Sequence, residues 1–385
     1  MLPTLLTTTD KDRYQDYLDE KIERVFNLIK GTLATEDNAL GLNDLNALTP
    51  EVHPSLPEHY RMRCEFAIFH HEDGQIDYVM FEPGSKPRKM IFIKDFPGCT
   101  VSINQAMTAL REHVIKYPEV KHKLFGADFL NYHKKLVDPF TDEAHKLRED
   151  LKAAGVSCSL VAHARKQKIT IGDDFVIETI PTVRGDIKLK QVEGTFSQPN
   201  ATACSAMLNF AISCAQSIMK DVPAGQKRDL IELYCGSGTF TVTLAPLFDK
   251  VFATEVARVP TETAIFNMKL NEIENIKLAR LSALEVTEAL NHVRAFRRLN
   301  ELDINLDDYG FSTLLIDPPR AGLQDEEALK FTAQYDNVIY ISCGPESLAS
   351  DLKYLSKTHK IARVAFFDQF PYTNHLESGV LLVRR

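Results

Sequence analysis

Tryptophan is absent from this 385-residue sequence, and cysteine is sparse and scattered. The seven cysteines (Cys64, Cys99, Cys158, Cys204, Cys214, Cys235 and Cys343) show neither CxxC nor Cys/His spacing, so neither a zinc site nor an iron–sulfur cluster is encoded. An odd number of thiols in a chain this long fits a reducing compartment, and a cytoplasmic protein is expected. No apolar run approaches a membrane span, and no basic segment followed by an apolar stretch opens the chain, which argues against a membrane or secreted protein. Low-complexity tracts and repeats are lacking too. Positive charge is not in excess: the net charge is −8, so any nucleic-acid binding must come from local basic patches. The hydrophobic content of 44% and charged content of 25% are those of an ordinary globular chain, long enough for two domains.

Two rhythms divide the sequence. Thr9 to Asp12 has capping-box spacing, and Tyr14, Leu18, Ile22, Val25 and Ile29 then recur at helical intervals, predicting an amphipathic helix that packs on the first domain. From about His59 to Lys190 short alternating runs dominate, such as Met62–Ile68, Ile76–Met80 and Lys168–Ile171, with helical spacing around Gln105–Ile115 and Glu143–Ala153. Residues 1–194 are therefore expected to form an α+β domain with a mostly antiparallel sheet. From about Thr195 apolar runs alternate with helix-sized segments: Leu230–Tyr234, Val251–Thr254, Ile276–Ala279, Thr313–Ile316, Val338–Ile341, Ala362–Phe366 and Gly379–Val383. Seven such runs predict a doubly wound, mainly parallel α/β sheet over 195–385, whose last two strands close as an antiparallel pair. That layout is similar to the class I methyltransferases that use S-adenosylmethionine.

Basic groups cluster in the first half. Lys86 to Lys94 holds four basic residues and no acidic one, Arg165, Lys166 and Lys168 follow within one segment, and Lys121–Phe125 and His133-Lys-Lys135 interleave basic groups with aromatics. These read either as solvated strand faces or as an RNA-facing surface.

The first apolar run of the second half opens into Tyr234-Cys-Gly236-Ser-Gly238-Thr239-Phe240, a glycine turn leading into a helix. Such a turn lets a backbone approach a ligand. Position 241 is Thr, so the GxGxxG dinucleotide fingerprint is not met. Glu255, at the end of the second run, is placed to accept ribose hydroxyls, or alternatively to cap a helix starting near Arg258. Together the pair points to a nucleoside cofactor without a pyrophosphate.

After the fourth run comes Asp317-Pro-Pro-Arg320, where two prolines stiffen the chain and aim Asp317 and Arg320 outward. An Arg where amine methylases commonly carry an aromatic points away from N-methylation. After the fifth, Cys343 enters a Gly-Pro turn; taken alone it reads more readily as a buried core thiol than as a nucleophile. Glu377 opens the closing strand. Carbon 5 of uracil becomes nucleophilic only after a thiolate adds to C6, so its methylation requires a Cys and a carboxylate in one cleft. Cys343, Glu377 as proton acceptor, Arg320 on the enolate oxygen and Asp317 on the imide meet that requirement. His375 is a competing base, a Cys343–His375 hydrolase couple is a rival reading that leaves the glycine loop unexplained, and an RNA-binding protein without activity is a third.

These residues resemble the RNA uracil-5-methyltransferase family, most closely its tRNA-modifying branch. The likeness runs through His59–Arg63, Glu65-Phe66, Lys121–Phe125, Phe196-Ser-Gln-Pro-Asn200 and Asp368-Gln-Phe-Pro-Tyr372. It implies S-adenosylmethionine contacts from Gln198, Tyr234, the Gly236–Gly238 loop with Thr239, Glu255 and Asp317, with no metal. It implies C5-methylation of uridine 54 in the T-loop of tRNA, extending to tRNA-like RNAs such as tmRNA, with no protein partner required; methylation of ribosomal RNA is the alternative. Three features depart from the family pattern: Gly344 follows Cys343 where Asn is usual, Thr239 stands where Asn is frequent, and the interval from Phe125 to His133 is about a dozen residues short.

Overall fold

The structure, a computed structural model, describes residues 9–82, 84–124, 126–127, 138–164, 167–222, 226 and 228–385. Phe125, His133-Lys-Lys135, Arg165, Lys166 and most of the shortened 125–133 interval lie outside the described residues. Two compact units emerge. One is built on Leu56–Val176 with Pro199–Ala201; the other comprises Gln15–Ser55, Ile177–Gln198 and Thr202–Arg385. The division therefore differs from a single cut at 194/195, because Gln15–Ser55 and Ile177–Gln198 group with the C-terminal sheet and Pro199–Ala201 with the smaller unit.

The sheet of the larger unit has eight strands: β1 (Glu51–His53), β2 (Asp229–Leu233), β3 (Val251–Thr254), β4 (Ile276–Ala279), β5 (Phe311–Ile316), β6 (Asn337–Ser342), β7 (His359–Phe367) and β8 (Glu377–Arg384). Their spatial order is β1-β7-β8-β6-β5-β2-β3-β4. Strand β8 runs antiparallel to both β6 and β7, and the remaining pairs are parallel. Continuous burial along β2 and β3 explains their unbroken apolar runs, since a parallel sheet is covered on both faces. The core joins these strands to the Ala201–Asp221 helix through Met207, Leu208, Phe210 and Ala211.

Seven strands were expected, and β1 is the addition. Three residues are too few to show a period, and the strand is held in place by side chains: Arg363 of β7 donates to both carboxylate oxygens of Glu51 at 2.8 and 2.9 Å, and the His53 ring stacks on Phe367 at 4.8 Å.

The N-terminal helix also belongs elsewhere than expected. Tyr14–Leu33 packs in the larger unit, with Phe26 edge-on to Phe366 and Tyr17 edge-on to Tyr372. Its periodicity identified an apolar face without identifying what the face covers. A 3-10 turn at Lys11–Arg13 precedes it, and the Thr9 hydroxyl donates to Glu58 at 2.8 Å instead of capping the helix. Within the buried face sits Lys21. Its ammonium pairs with Asp368 and donates to the carbonyls of Phe370 and His375, both at 3.1 Å, while Arg24 reaches the Asn374 carbonyl at 2.5 Å. The helix thereby fixes the loop that leads into β8.

The smaller unit is α+β. Its antiparallel sheet orders Met90–Ile93, Ile76–Phe81, Phe66–His70 and Gly126–Ala127, and the helices Val101–Val114 and Asp138–Ala153 cover one face through Met107, Phe140 and Leu147. Cys64 and Cys99, both buried in this core, are disulfide-bonded, a pairing that a separation of 35 residues does not announce. Lys86, Arg88, Lys89 and Lys94 are exposed. No helix among the described residues is long and apolar enough to cross a membrane.

The buried Lys21–Asp368 pair gives a direct test. Lys21→Ala leaves Asp368 without its cation and should lower unfolding stability in urea by about 3 kcal/mol, whereas Lys21→Met combined with Asp368→Leu should recover most of the loss. A single-mutant loss below about 1 kcal/mol would show that the pair does not hold the loop.

Candidate active site

Strand register brings the candidate residues to one edge. Leu233 of β2 pairs with Thr254 of β3 and with Ile316 of β5, so Tyr234, Glu255 and Asp317 each lie one step beyond paired residues on three adjacent strands. The strand order reverses between β2 and β5, which stay parallel, and this is the switch point at which open α/β sheets bind ligands. On the other side, Ser342 of β6 pairs with Ser378 of β8. Continuing that antiparallel ladder one step sets Cys343 against Glu377, and Glu377 in turn pairs with Phe367 of β7.

Backbone conformation shapes the glycine loop. Tyr234 has a φ of 62°, a left-handed conformation that costs on the order of 1 kcal/mol for a residue with a side chain. Gly236 and Gly238 follow at 54° and 79°. At Gly238 a Cβ would lie 3.1 Å from that of Ala264, so the residue must be small as well as left-handed. The Asn267 amide donates to the Ser237 carbonyl at 2.9 Å and clamps the loop. Thr239 is the first residue of the helix beyond it.

Glu255 accepts from the Gly236 N–H at 3.1 Å and from the Ala257 N–H at 2.8 Å. It therefore holds the glycine loop and also braces the start of the Arg258–Leu270 helix, leaving further lone pairs for a ligand. Gln198 accepts from the Gln369 amide, which follows β7 on the same edge. Around Cys343 the Ser342 hydroxyl accepts from the Gly344 N–H at 3.2 Å, closing the turn, and the Pro345–Leu355 helix begins directly after. Cys343 is half-buried, Asp317 is partly buried, and Arg320 is exposed.

Burial raises the acids of this edge. Asp317 is pushed up to about 7 by burial, and Glu377 to about 8 by burial and then by Asp317, with Arg320 opposing. Cys343 is pushed up to about 11, by burial first and then by Glu377 and Asp317. Glu232 of β2 belongs to the same cluster: it is raised to about 8 by burial and by Asp317, and its Oε2 has no hydrogen-bond partner among the described residues. Asp317 raises the other three acids, Glu377 adds to the shift of Cys343, and the exposed Arg320 opposes it at Glu377 and Cys343, so the site is short of positive charge.

Comparison with known proteins gives the family. A model of the tRNA (uracil-5-)-methyltransferase family matches residues 33–385. The chain belongs to that family. It is 40% identical to the tRNA/tmRNA (uracil-C(5))-methyltransferase of Serratia proteamaculans, covering 97% of this chain and 98% of the relative. The corresponding protein of Neisseria meningitidis is 42% identical over 87% of this chain and 92% of its own length. Among solved structures, the fold is similar to that of Pyrococcus abyssi tRNA (uracil-54, C5)-methyltransferase in complex with S-adenosyl-L-homocysteine, at a TM-score of 0.59, 21% identity, and coverage of 95% of this chain and 83% of that one.

As a tRNA (uracil-5-)-methyltransferase the chain is an enzyme, and no group of metal-ligating side chains is found among the described residues. Sequence reading missed Glu232. Its signal was present, a single carboxylate inside the apolar run Leu230-Ile-Glu-Leu, which a buried strand does not carry without a reason. Gln369 and Ser342 were also missed, because their roles are contacts to other site residues.

Raised acids predict a pH dependence in the free protein. Alkylation of Cys343 by iodoacetamide should accelerate about tenfold per pH unit between pH 7 and 10, since only the thiolate reacts. Glu377→Gln removes an anion that raises the thiol, so at pH 9 its Cys343 should label several-fold faster. Labelling of the wild type that is independent of pH below 8 would mean that the thiolate is already formed.

Proposed function

We propose that this enzyme methylates carbon 5 of uridine 54 in the T-loop of tRNA, and accepts tRNA-like RNAs such as tmRNA. The observation that carries the reading is the β6–β8 register, which sets Cys343 against Glu377 at the edge where Asp317 and Arg320 emerge from β5. The relatives' names supply the substrate.

S-adenosylmethionine, the methyl donor of this enzyme class, supplies an electrophilic methyl group on a cationic sulfur when bound. The residues fit it. A cluster of raised acids faces one exposed guanidinium, Glu232 has a buried oxygen without a partner among the described residues, and Glu255 beside a left-handed glycine loop suits a ribose. Gln198, Tyr234, Gly236, Gly238, Thr239, Glu255 and Asp317 would hold it. A cation beside the cluster lowers the pKa of each acid, favouring the ionised forms of Cys343 and Glu377 that the reaction uses.

Cys343 adds to C6 of the uracil, forming a C6–S bond and placing an electron pair at C5. Arg320 stabilises the negative charge on the enolate oxygen, and Asp317 orients the ring through its imide. Once C5 carries the methyl group, Glu377 takes the C5 proton, the C6–S bond breaks and Cys343 leaves as a thiolate. Burial, together with the charges of Arg320, Lys21 and Arg24, lowers the pKa of His375, which makes it a weaker base than Glu377. In the α+β unit the exposed Lys86, Arg88, Lys89 and Lys94, with exposed rings at Phe81 and Phe92, offer phosphate and stacking contacts for RNA.

Incubation with labelled S-adenosylmethionine and separate unmodified tRNA and ribosomal RNA pools should label only tRNA; incorporation confined to ribosomal RNA would overturn the assignment. Cys343→Ala should form no adduct with tRNA containing 5-fluorouracil. Glu377→Gln should add and methylate but release slowly, trapping protein on RNA in denaturing gels, and rapid turnover by that variant would remove Glu377 as the base.

A further inference from the structure

Gly344 departs from the family pattern immediately beside Cys343, and its backbone does not explain why. Its φ of −121° and ψ of 96° are open to any residue. Its surroundings do explain it. A Cβ at this position would lie 2.4 Å from the Arg320 carbonyl oxygen and 2.6 Å from the Ser347 hydroxyl, roughly 1 Å inside ordinary van der Waals contact. The first of these atoms is backbone and cannot rotate away. Ser347, in the first turn of the Pro345–Leu355 helix, has its hydroxyl 2.9 Å from the Arg320 carbonyl and 2.9 Å from the Gly344 carbonyl. Its single proton serves either acceptor, so it bridges the two chain segments.

The contact continues along the same loop. Gly322, at a φ of 74°, would place a Cβ 2.8 Å from that of Ser347 and 2.7 Å from Asp351 Oδ2. That oxygen accepts the Leu323 N–H at 3.1 Å and the Tyr340 hydroxyl at 2.5 Å. The loop after Asp317 is thus seated on the Pro345–Leu355 helix at three points: the Arg320 carbonyl, Gly322 and the Leu323 amide. Only at Gly344 does the seat touch the turn that holds Cys343.

We infer that Gly344 and Ser347 are positioning residues, a missing side chain and a hydroxyl clasp that lock the Arg320 segment onto the Cys343 turn so that thiol and guanidinium keep a fixed separation. The inference rests on the catalytic roles proposed above for Cys343 and Arg320. Its consequence runs against family resemblance: restoring the usual Asn at 344 should harm this enzyme, because the side chain displaces the Arg320 backbone. A displacement of about 1 Å near reacting groups can cost on the order of 100-fold in rate.

The test compares Gly344→Ala, Gly344→Asn, Ser347→Ala and Ser347→Thr in the full-length enzyme, with cooperative urea unfolding as the check of folding. Both Gly344 variants should lose about 10- to 100-fold in kcat with tRNA KM changed less than threefold. The pH midpoint for Cys343 alkylation should move upward in both, as the guanidinium that favours the thiolate retreats. Ser347→Ala should lose several-fold in kcat with the same upward shift, and Ser347→Thr, which keeps the hydroxyl, should stay within about twofold of wild type. A Gly344→Asn enzyme with wild-type kcat and alkylation profile would overturn the inference. If the Gly344 variants lose cooperative unfolding, the Ser347 pair decides, and equal activity of its Ala and Thr forms overturns the clasp. Failure of the underlying reading looks different: Cys343→Ala would still form the 5-fluorouracil adduct, whatever position 344 does.

Discussion

The antiparallel insertion of β8 between β6 and β7 is the constraint on which the site depends. Thirty-three residues separate Cys343 from Glu377, and the Ser342–Ser378 pairing sets them opposite each other. Because strand side chains alternate faces, a slip of one residue in that register would turn Glu377 away from the thiol and bury a different set of side chains. Such a slip is prevented by burial: β8 is covered along most of its length, and Gly379 leaves no room for a Cβ beside Phe210 and Phe367. The register is held by the packing of a core, not by the site it serves.

A second dependence links the N-terminus to the same strand. The loop from Asp368 to Leu376 must turn β7 back into β8, and its carbonyls at 370, 374 and 375 are held by Lys21 and Arg24 of the N-terminal helix. A lysine buried in an apolar helix face is costly unless paired, and Asp368 with two carbonyls provides the pairing. The helix therefore contributes to the site by ordering the approach to Glu377, without itself supplying a reacting group. On the opposite flank, Glu255 does comparable work for the glycine loop through the Gly236 amide.

The acids form a site that is unfavourable on its own. Burial raises Asp317, Glu377, Glu232 and Cys343, and Asp317 raises the other three further, so the free protein keeps protons that the reaction must release. A cationic methyl donor relieves this. Binding and activation are then coupled through charge: the group that brings the methyl also favours the ionised nucleophile and base. The same arrangement lowers stability as pH rises from about 4.5 towards 8, because the folded state holds carboxyl protons that the unfolded chain would lose.

Tyr234, the Gly236–Gly238 loop, Glu255, Asp317 and Cys343 stood out in the sequence as candidates because each sits where an apolar run ends, and the end of a parallel strand is a local event marked by Gly, Pro or a charge; Glu377 stood out as the charge that opens the closing antiparallel strand. The α/β character of the second half was legible for the same reason. Tertiary structure alone decided that the Tyr14–Leu33 helix packs in the larger unit, that Glu51–His53 adds an eighth strand, that Cys64 meets Cys99, and that Gly344 answers to the Arg320 carbonyl. Each of these is a contact between segments distant in the chain. Periodicity states which face of an element is apolar, and composition states which residue is small, but neither states what lies against it; that is settled only when the whole chain competes to bury its surface.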